Sequence, residues 1–214
     1  MIEYHKINSI FKRNEKKEFI PEYSCPEFEY LQNCEWNWTE KIDGMNIRIG
    51  CNGQKIKIKG RTNNAELSTN LTDYLIKLFP IEKLKDIFEI QEGQEVILFG
   101  EAYGHNIQKV AKLYSKQYQF ILFDILVGRI YLKRESVNSI AEQLGIKSVP
   151  IVAQCSLLEI IKKIKQKDTI SQVAENEMLC EGFVGYPVCG CLDRMGRRII
   201  TKVKHCDCFE LIKL

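Results

Sequence analysis

Long apolar runs are what this sequence most plainly lacks. No segment reaches the length of about 18 residues that a membrane-spanning helix requires, and residues 1–10 lack the apolar core of a signal peptide. We therefore expect a soluble, intracellular protein, in the cytoplasm or the nucleus, with no membrane contact. A charge excess is missing too, because 31 Lys and Arg residues stand against 28 Asp and Glu residues, a net +3. A nucleic-acid surface would have to be a local patch.

Linkers, low-complexity segments and internal repeats are also missing from the 214 residues. Apolar residues make up 45% of the chain, which is enough for a sizeable core. We therefore predict a single domain over residues 1–214.

The nine cysteines are an odd number in a chain without a secretory signal, so free thiols in a reducing compartment are expected. Two pairs have C-x-C spacing, Cys189-Gly-Cys191 and Cys206-Asp-Cys208, and His205 adjoins the second. Paired thiols beside a histidine would suit zinc, but the usual zinc spacing is C-x₂₋₄-C, and free cysteine is a common small core residue. Both interpretations stay open.

The apolar periodicity predicts a mixed α+β domain. Residues 36–49 are predicted as a strand, a tight Asp43-Gly44 turn and a second strand, and 54–60 as an exposed hairpin arm. In this prediction Lys41 lies where two strands meet. The further predicted elements are a helix at 65–79 that Pro80 stops, buried strands at 95–101 and 119–127, helices at 135–144 and 156–166, and strands near 183–187 and 198–204.

The segment Lys41-Ile42-Asp43-Gly44 has the pattern K-x-D-G. Taken alone, it also fits a charged hairpin with Asp-Gly at its tip. Four further segments follow it in order: 99–104 (FGEAYG), 120–125 (FILFDI), 181–184 (EGFV) and 202–204 (KVK). Together the five segments resemble motifs I, III, IIIa, IV and V of the covalent nucleotidyltransferases, the superfamily of DNA ligases, RNA ligases and mRNA capping enzymes. The resemblance spans residues 41–204.

This resemblance implies a fold and a chemistry. The expected fold is an ATP-grasp-like ligase adenylation domain, a nucleotidyltransferase domain with mainly antiparallel sheets flanked by helices. The expected catalytic residues are Lys41, which becomes covalently adenylated, Asp43 of the same motif, and the motif V lysines Lys202 and Lys204. The expected cofactors are ATP and Mg²⁺ or Mn²⁺.

The residue types suit that chemistry. A lysine amine attacks the α-phosphorus of ATP only in its neutral form, so nearby positive charge or desolvation must lower its pKa from the ordinary value of about 10.4. Lys202 and Lys204 are two residues apart, so on a strand they share a face and can hold the α-phosphate as negative charge builds on it. Phosphoryl transfer is mostly positioning and charge stabilisation, which makes several cations around one nucleophile the expected set.

The remaining site residues are also assigned by the resemblance. Glu101 of motif III would bind the ribose hydroxyls, Phe123 of motif IIIa would stack on adenine, and the main chain at Glu40 would read the adenine amino group. Glu181 of motif IV would serve the metal ion. Asp124 is the second predicted metal ligand, because an acid inside an apolar strand requires a partner. Without the resemblance, Phe123 would be predicted as a core residue.

Two positions resemble the RNA-ligase branch that includes phage nick-sealing ligases and kinetoplastid editing ligases. That branch has Asn five residues after the nucleophile and Arg about twenty residues after it, and Asn46 and Arg61 stand there. Both are expected to bind the nucleotide or the incoming end. Asp43 departs from the branch, which often has His in the middle of motif I, so a DNA ligase or capping enzyme core stays open.

The expected function is ATP-dependent joining of 5′-phosphate and 3′-hydroxyl ends, with RNA, nicked duplexes included, or DNA as the substrate. The chain ends ten residues after Lys204. We therefore expect no C-terminal OB or helical domain, and a protein partner is a candidate replacement for it during sealing. The alternatives are a DNA ligase, a guanylyltransferase, and a catalytically silent nucleic-acid-binding module.

A basic strand pair is predicted beside motif I, with Arg48, Lys55, Lys57 and Lys59 as its charged residues. A nucleic-acid contact and a solvated face both fit this pattern.

Overall fold

The structure, a computed structural model, describes residues 1–91, 93–108, 110–167 and 169–207. The chain divides into two compact units. The first unit consists of Met1–His5 and Asp43–Val149, and the second of Lys6–Ile42 and the chain from Pro150 onward. Among the described residues, no helix is long and apolar enough to cross a membrane. The prediction of a single domain stays a prediction.

The described strands are β1 Asn8–Ser9, β2 Phe11–Arg13, β3 Phe19–Tyr23, β4 Trp36–Lys41, β5 Met45–Cys51, β6 Ile56–Lys59, β7 Val96–Gly104, β8 Tyr118–Val127, β9 Ile130–Tyr131, β10 Lys147–Ser148, β11 Ile151–Cys155, β12 Gly182–Pro187 and β13 Thr201–Lys204. The helices are α1 Pro26–Tyr30, α2 Thr69–Leu78, α3 Ile81–Phe88, α4 Ala111–Tyr114, α5 Arg134–Leu144 and α6 Leu157–Gln166, and a 3₁₀ turn follows β13 at His205–Asp207.

The first unit is built on a six-stranded sheet in the order β10-β8-β7-β5-β6, with β9 paired to β8. Its pairings are antiparallel except that of β10 with β8. Helices α2, α3 and α5 cover one face, because their apolar positions recur at helical spacing and pack on the inward residues of the strands. Phe79, directly after α2, meets Phe120 of β8 with 5.1 Å between ring centroids.

The opposite face of this sheet carries a smaller aromatic cluster. Phe99 of β7 and Phe123 of β8 lie there, and the N-terminal residue Tyr4 packs against both rings. Arg48 of β5 anchors the same N-terminal segment by donating to the carbonyl of Ile2 over 3.0 Å. The first five residues therefore belong to the first unit, although the chain then passes into the second.

The second unit is built on a five-stranded sheet in the order β1-β13-β12-β4-β11, antiparallel except for β1 with β13. Its core lies between this sheet and α6, where Trp36 and Trp38 of β4 pack with Phe183 of β12. Helix α6 begins after Ser156, which forms a reciprocal capping box with Glu159. Strands β2 and β3 form a separate two-stranded sheet.

The mixed α+β architecture with mainly antiparallel sheets flanked by helices is confirmed. The predicted hairpin over 36–49 is wrong, because β4 pairs with β11 and β12 whereas β5 pairs with β6 and β7. The Asp43-Gly44 segment therefore passes from one sheet to the other instead of turning back. Helix α2 ends at Leu78, just before Pro80, as predicted, but α3 begins directly after Pro80, which is its N-cap residue with an extended backbone.

Candidate active site

A cluster of three charged side chains lies in the second unit, where β4, β12 and β13 run side by side. Gly182 at the start of β12 is opposite Lys41, the last residue of β4, and also opposite Lys204, the last residue of β13. Neighbouring strands are about 4.8 Å apart, so the two lysine backbones are roughly 10 Å apart with Gly182 between them. Lys41 and Glu181, the residue before Gly182, are 140 positions apart in sequence and are thereby brought to one end of one sheet.

Glu181 joins the two lysines. One of its carboxylate oxygens accepts from Lys41 Nζ and the other from Lys204 Nζ. The side chains are partly exposed, at 22% for Lys41, 15% for Glu181 and 32% for Lys204. A phosphate can therefore reach the lysines, and it would compete with Glu181 for them. We call these three residues the lysine centre.

Gly182 makes the close spacing of the lysine centre feasible. A Cβ built on Gly182 would lie 2.7 Å from the Cα of Lys204 and would collide with the carbonyl oxygen of Val203. A side chain at this position would push β13 away from β12. The backbone of Glu181 is held as well, because its carbonyl accepts from the amide of His205 over 3.1 Å.

Lys202 lies on the same face of β13 as Lys204, as the two-residue spacing predicts. It is opposite Val184 on β12 and Ser9 on β1, and its carbonyl accepts from the amide of Ile10 over 3.3 Å. Its side chain is half-buried. Lys202 therefore extends the positive face of the lysine centre along β13.

Glu40 lies on the other face of β4 from Lys41, because successive side chains of a strand alternate. Its carboxylate accepts from the hydroxyl of Ser171 and, over 2.8 Å, from the amide of Gln172. Burial raises the pKa of Glu40, and the hydrogen bonds from Ser171 and the neighbouring amides oppose that rise. The main-chain amide of Glu40 donates to the carbonyl of Pro150 over 3.3 Å. The predicted contact of the Glu40 main chain with the adenine amino group stays a prediction.

In the first unit, two of the predicted nucleotide-binding residues are direct cross-strand neighbours. Asn46 of β5 is opposite Glu101 of β7, so both side chains leave the sheet on the same face. The Asn46 side-chain oxygen is buried and has no hydrogen-bond partner among the described residues. Buried polar atoms are seldom left so, and this amide oxygen is accordingly a candidate ligand contact.

Motif I and motif III also meet in the first unit. A Cβ on Gly44 would collide with the carbonyl oxygen of Ala102 and lie 3.0 Å from Cγ of Glu101, so this approach of backbone to strand requires glycine. Gln108 donates to the carbonyl of Gly44 over 2.8 Å. Asp43 is half-buried in the same segment. The K-x-D-G pattern thus serves both units, with Lys41 in the second and Gly44 in the first.

Phe123 and Asp124 lie at an irregularity of β8, where Phe99 is opposite Asp124 and Gly100 is opposite Leu122. Phe123 is half-buried, and its ring meets that of Tyr4 edge-on with 5.1 Å between centroids. Asp124 is only 5% exposed and accepts from the Tyr4 hydroxyl over 2.6 Å. The acid inside the apolar strand therefore has a hydrogen-bond partner in Tyr4. The sequence did not indicate this partner, because no motif around Tyr4 points to a residue so far along the chain.

Arg48 is a second residue whose role the sequence did not indicate. It is fully buried, not part of a solvated basic face, and it donates to the carbonyl of Gly60 over 2.8 Å and to the side chain of Asn63 over 3.1 Å. Arg61, a predicted nucleotide-binding residue, follows Gly60 in an exposed bend after β6. The prediction for Arg61 stays a prediction.

The donor set suits a divalent cation that arrives with a nucleotide. The lysine centre offers one carboxylate, that of Glu181, and Mg²⁺ is usually held by one or two carboxylates together with phosphate oxygens and water. Within the described ranges, no group of three or more His, Cys, Asp or Glu side chains could hold a metal without such help. Asp124, the other predicted metal ligand, belongs to the first unit, and Glu181 to the second.

The zinc hypothesis gains nothing from the thiols of the described part. Cys189 and Cys191 adjoin each other, but no group of three metal-binding side chains is found there or elsewhere in the ranges that the structure covers. The Cys206-Asp-Cys208 pair lies in part outside the described residues.

Comparison with known proteins supports one family. The profile of a family described as RNA ligase matches residues 34–204. No curated protein matches the sequence closely enough to count as a relative.

Solved structures of a Naegleria gruberi RNA ligase share the fold. A mutant of that ligase in its apo form is 21% identical, with a TM-score of 0.63 over 91% of this chain and 56% of that one. The ligase with PPi is 24% identical, with a TM-score of 0.62 over 84% and 52%. A mutant with AMP and Mn is 20% identical, with a TM-score of 0.63 over 91% and 56%. This chain therefore spans just over half the length of these structures.

Proposed function

Because the chain belongs to the RNA ligase family, whose profile covers most of it, we propose that it is an ATP-dependent RNA ligase that becomes adenylated on Lys41. We further propose the fold of the covalent nucleotidyltransferases for its adenylation domain. The observation that carries the proposal is the lysine centre, in which a partly exposed lysine at a strand end lies beside a second cation and one shared carboxylate.

In the first step, the neutral amine of Lys41 attacks the α-phosphorus of ATP. The new bond joins Nζ to phosphorus, the bond from phosphorus to the bridging oxygen breaks, and pyrophosphate leaves. Lys204 and Lys202 hold the α-phosphate oxygens and stabilise the charge that builds on them. As the nucleotide binds, the lysines exchange their contacts with Glu181 for contacts with phosphate oxygens. The released Lys41 ammonium gives up one proton to solvent to become the attacking amine, and a second proton leaves to solvent when the bond to phosphorus has formed.

In the later steps, a 5′-phosphate oxygen of RNA attacks the phosphorus of lysyl-AMP, which frees Lys41 and gives an adenylylated RNA end. The 3′-hydroxyl of the second strand then attacks the 5′-phosphate, and AMP leaves. Asp43 of motif I is proposed to take part in this catalysis beside Lys41. We propose RNA as the substrate because the chain belongs to the RNA ligase family. The proposal includes the sealing of nicked duplexes.

The adenosine is proposed to bind the first unit. Glu101 accepts from the ribose hydroxyls, Phe123 stacks on adenine, and the buried oxygen of Asn46 accepts from the nucleotide or the incoming end. Arg61 binds phosphate, and the main chain at Glu40 reads the adenine amino group.

A divalent cation, Mg²⁺ or Mn²⁺, would add positive charge at the phosphates when bound. Glu181 would hold it together with phosphate oxygens, and Asp124 is the second proposed ligand. Glu181 would then contact the cation and the two lysines would contact the phosphates of the nucleotide. The two oxygens of Glu181 cannot contact both lysines and a cation at the same time.

The test is mass spectrometry of the protein after incubation with ATP and Mg²⁺. An adduct of the mass of AMP on Lys41 is expected, and none on the Lys41→Arg variant, which keeps the positive charge but has no amine that can become neutral. GTP in place of ATP should leave no adduct. An adduct of equal yield on the variant, or one formed from GTP alone, would overturn the proposal.

A further inference from the structure

Two cysteine sulfurs lie next to each other in the turn that follows β12. The Sγ atoms of Cys189 and Cys191 are 3.2 Å apart, Cys189 is exposed, and Cys191 is half-exposed. The turn between them is held by a hydrogen bond from the amide of Gly190 to the carbonyl of Pro187 over 3.1 Å. We call residues 188–191 the dithiol turn.

The two thiols differ in ionisation. Hydrogen bonds from the backbone and then the thiol of Cys191 lower the pKa of Cys189, whereas burial, followed by the effect of Cys189, raises the pKa of Cys191. Since the thiolate is the nucleophile, Cys189 is the sulfur that reacts first. Cys191 is the neighbour that can react with the product.

Other thiols of the described part are less suited to this chemistry. Burial raises the pKa of Cys25 to about 11 and that of Cys180 to about 12, and Cys51 is fully buried. Cys34 is exposed and lies beside the dithiol turn, because the amide of Val188 donates to the carbonyl of the adjoining residue Glu35. Cys34 therefore serves as an internal comparison.

We propose that Cys189 and Cys191 form a reversible dithiol site, closed to a disulfide by two-electron oxidants such as hydrogen peroxide and reopened by small thiols. The Cys189 thiolate attacks one peroxide oxygen, the O–O bond breaks, and hydroxide leaves and takes up a proton to become water. The Cys191 sulfur then attacks the sulfenic sulfur of Cys189, the S–O bond breaks, and the hydroxide takes the thiol proton. Two thiols and one peroxide thus give one disulfide and two waters.

This proposal does not depend on ligase activity. Strand β12 separates the dithiol turn from Gly182 by roughly 20 Å of extended chain, so closing the turn leaves the lysine centre in place. Its readout is the chemistry of the thiols themselves.

The test uses the whole chain treated with hydrogen peroxide, then alkylated and digested with trypsin. Residues 168–194 form one peptide with Cys180, Cys189 and Cys191, and residues 18–41 form another with Cys25 and Cys34. The expected product is the first peptide lighter by two hydrogen atoms, with Cys189 and Cys191 unalkylated and Cys180 alkylated after denaturation. Treatment with dithiothreitol should restore both alkylations.

Two variants sharpen the result. Cys191→Ala should leave Cys189 as a sulfenic acid that dimedone traps, and Cys34→Ser should close the dithiol turn as the parent does. A cross-link between the two peptides, or a dimedone adduct on Cys189 in the parent at the level seen in Cys191→Ala, would overturn the proposal.

Discussion

The lysine centre of the second unit and the cross-strand pair of Asn46 and Glu101 in the first unit show two ways to prepare for a ligand. In the lysine centre, Glu181 already forms an ion pair with both Lys41 and Lys204, so a nucleotide must replace existing contacts. In the Asn46–Glu101 pair, one buried amide oxygen lacks a hydrogen-bond partner in the described part of the chain, so a donor that reaches it displaces no existing hydrogen bond. Charged groups therefore hold each other in place, whereas the amide carries a cost that binding removes.

The largest effect should come from the lysine centre. Lys204→Ala removes one cation at the α-phosphate and one partner of Glu181, and we expect self-adenylation to slow by ~10²–10³. Lys202→Ala should also slow it steeply, because Lys202 lies on the same face of β13. Formation of the AMP adduct over time is the measurement.

Lys162→Ala is the matched control for both lysines. Lys162 is exposed on α6, so its loss should leave the rate unchanged. Near-parental rates of self-adenylation in both Lys202→Ala and Lys204→Ala would show that the lysine centre forms an ion pair in the free protein but takes no part in adenylation.

A stability effect is expected next, from the residue that joins the N-terminal segment to the first unit. Tyr4→Phe keeps the ring against Phe123 but removes the hydroxyl that donates to the buried Asp124. We expect the free energy of unfolding of this variant to fall by ~1–3 kcal/mol, because a buried carboxylate loses a donor. Urea denaturation followed by fluorescence measures it.

Tyr30→Phe provides the comparison for Tyr4→Phe, since Tyr30 is 88% exposed and should lose no stability. A loss in Tyr4→Phe no larger than in Tyr30→Phe would mean that Asp124 is held by its other neighbours.

The smallest effect should come from Asn46. Asn46→Ala should lower kcat/KM for ATP in self-adenylation by roughly tenfold, the loss of about one ligand hydrogen bond, without lowering the melting temperature. The stability should hold because the amide oxygen has no protein partner to lose among the described residues. Asn64→Ala, at an exposed position, should change neither quantity. A lower melting temperature with unchanged kinetics would make Asn46 a structural residue.

Much of the fold could be predicted because its signals are local. Helix α6 has an apolar stripe and a capping box within one segment, and β8 is a nearly continuous apolar run. The prediction of a hairpin at Asp43-Gly44 was wrong because it also relied on a local signal, the Asp-Gly turn. The conformation there depends on the close approach of Gly44 to Ala102, in a strand about sixty residues later.

The candidate site shows the same limit. Motif order indicated Lys41, Glu181 and Lys204, but their joint ion pair depends on the register by which Gly182 faces both lysines, and no spacing in the sequence encodes that register. The structural roles of Tyr4 and Arg48 were missed because their partners are not local in sequence. Tyr4 donates to Asp124, and Arg48 donates to Gly60 and Asn63. Residue types can suggest a chemistry, while the pairing of distant strands decides which side chains meet.

The placement of β4 has a consequence for synthesis on the ribosome. Lys41 and Glu181 are 140 residues apart, so β4 emerges long before β12, one of the two strands with which it pairs. At roughly 5–20 residues per second, β4 waits on the order of ten seconds for that partner. Trp36 and Trp38, which share a core with Phe183 of β12, lack that partner during the interval. The second unit can therefore be completed only after residues 43–149 of the first unit have been synthesised. We expect a chaperone to bind the nascent chain during that interval.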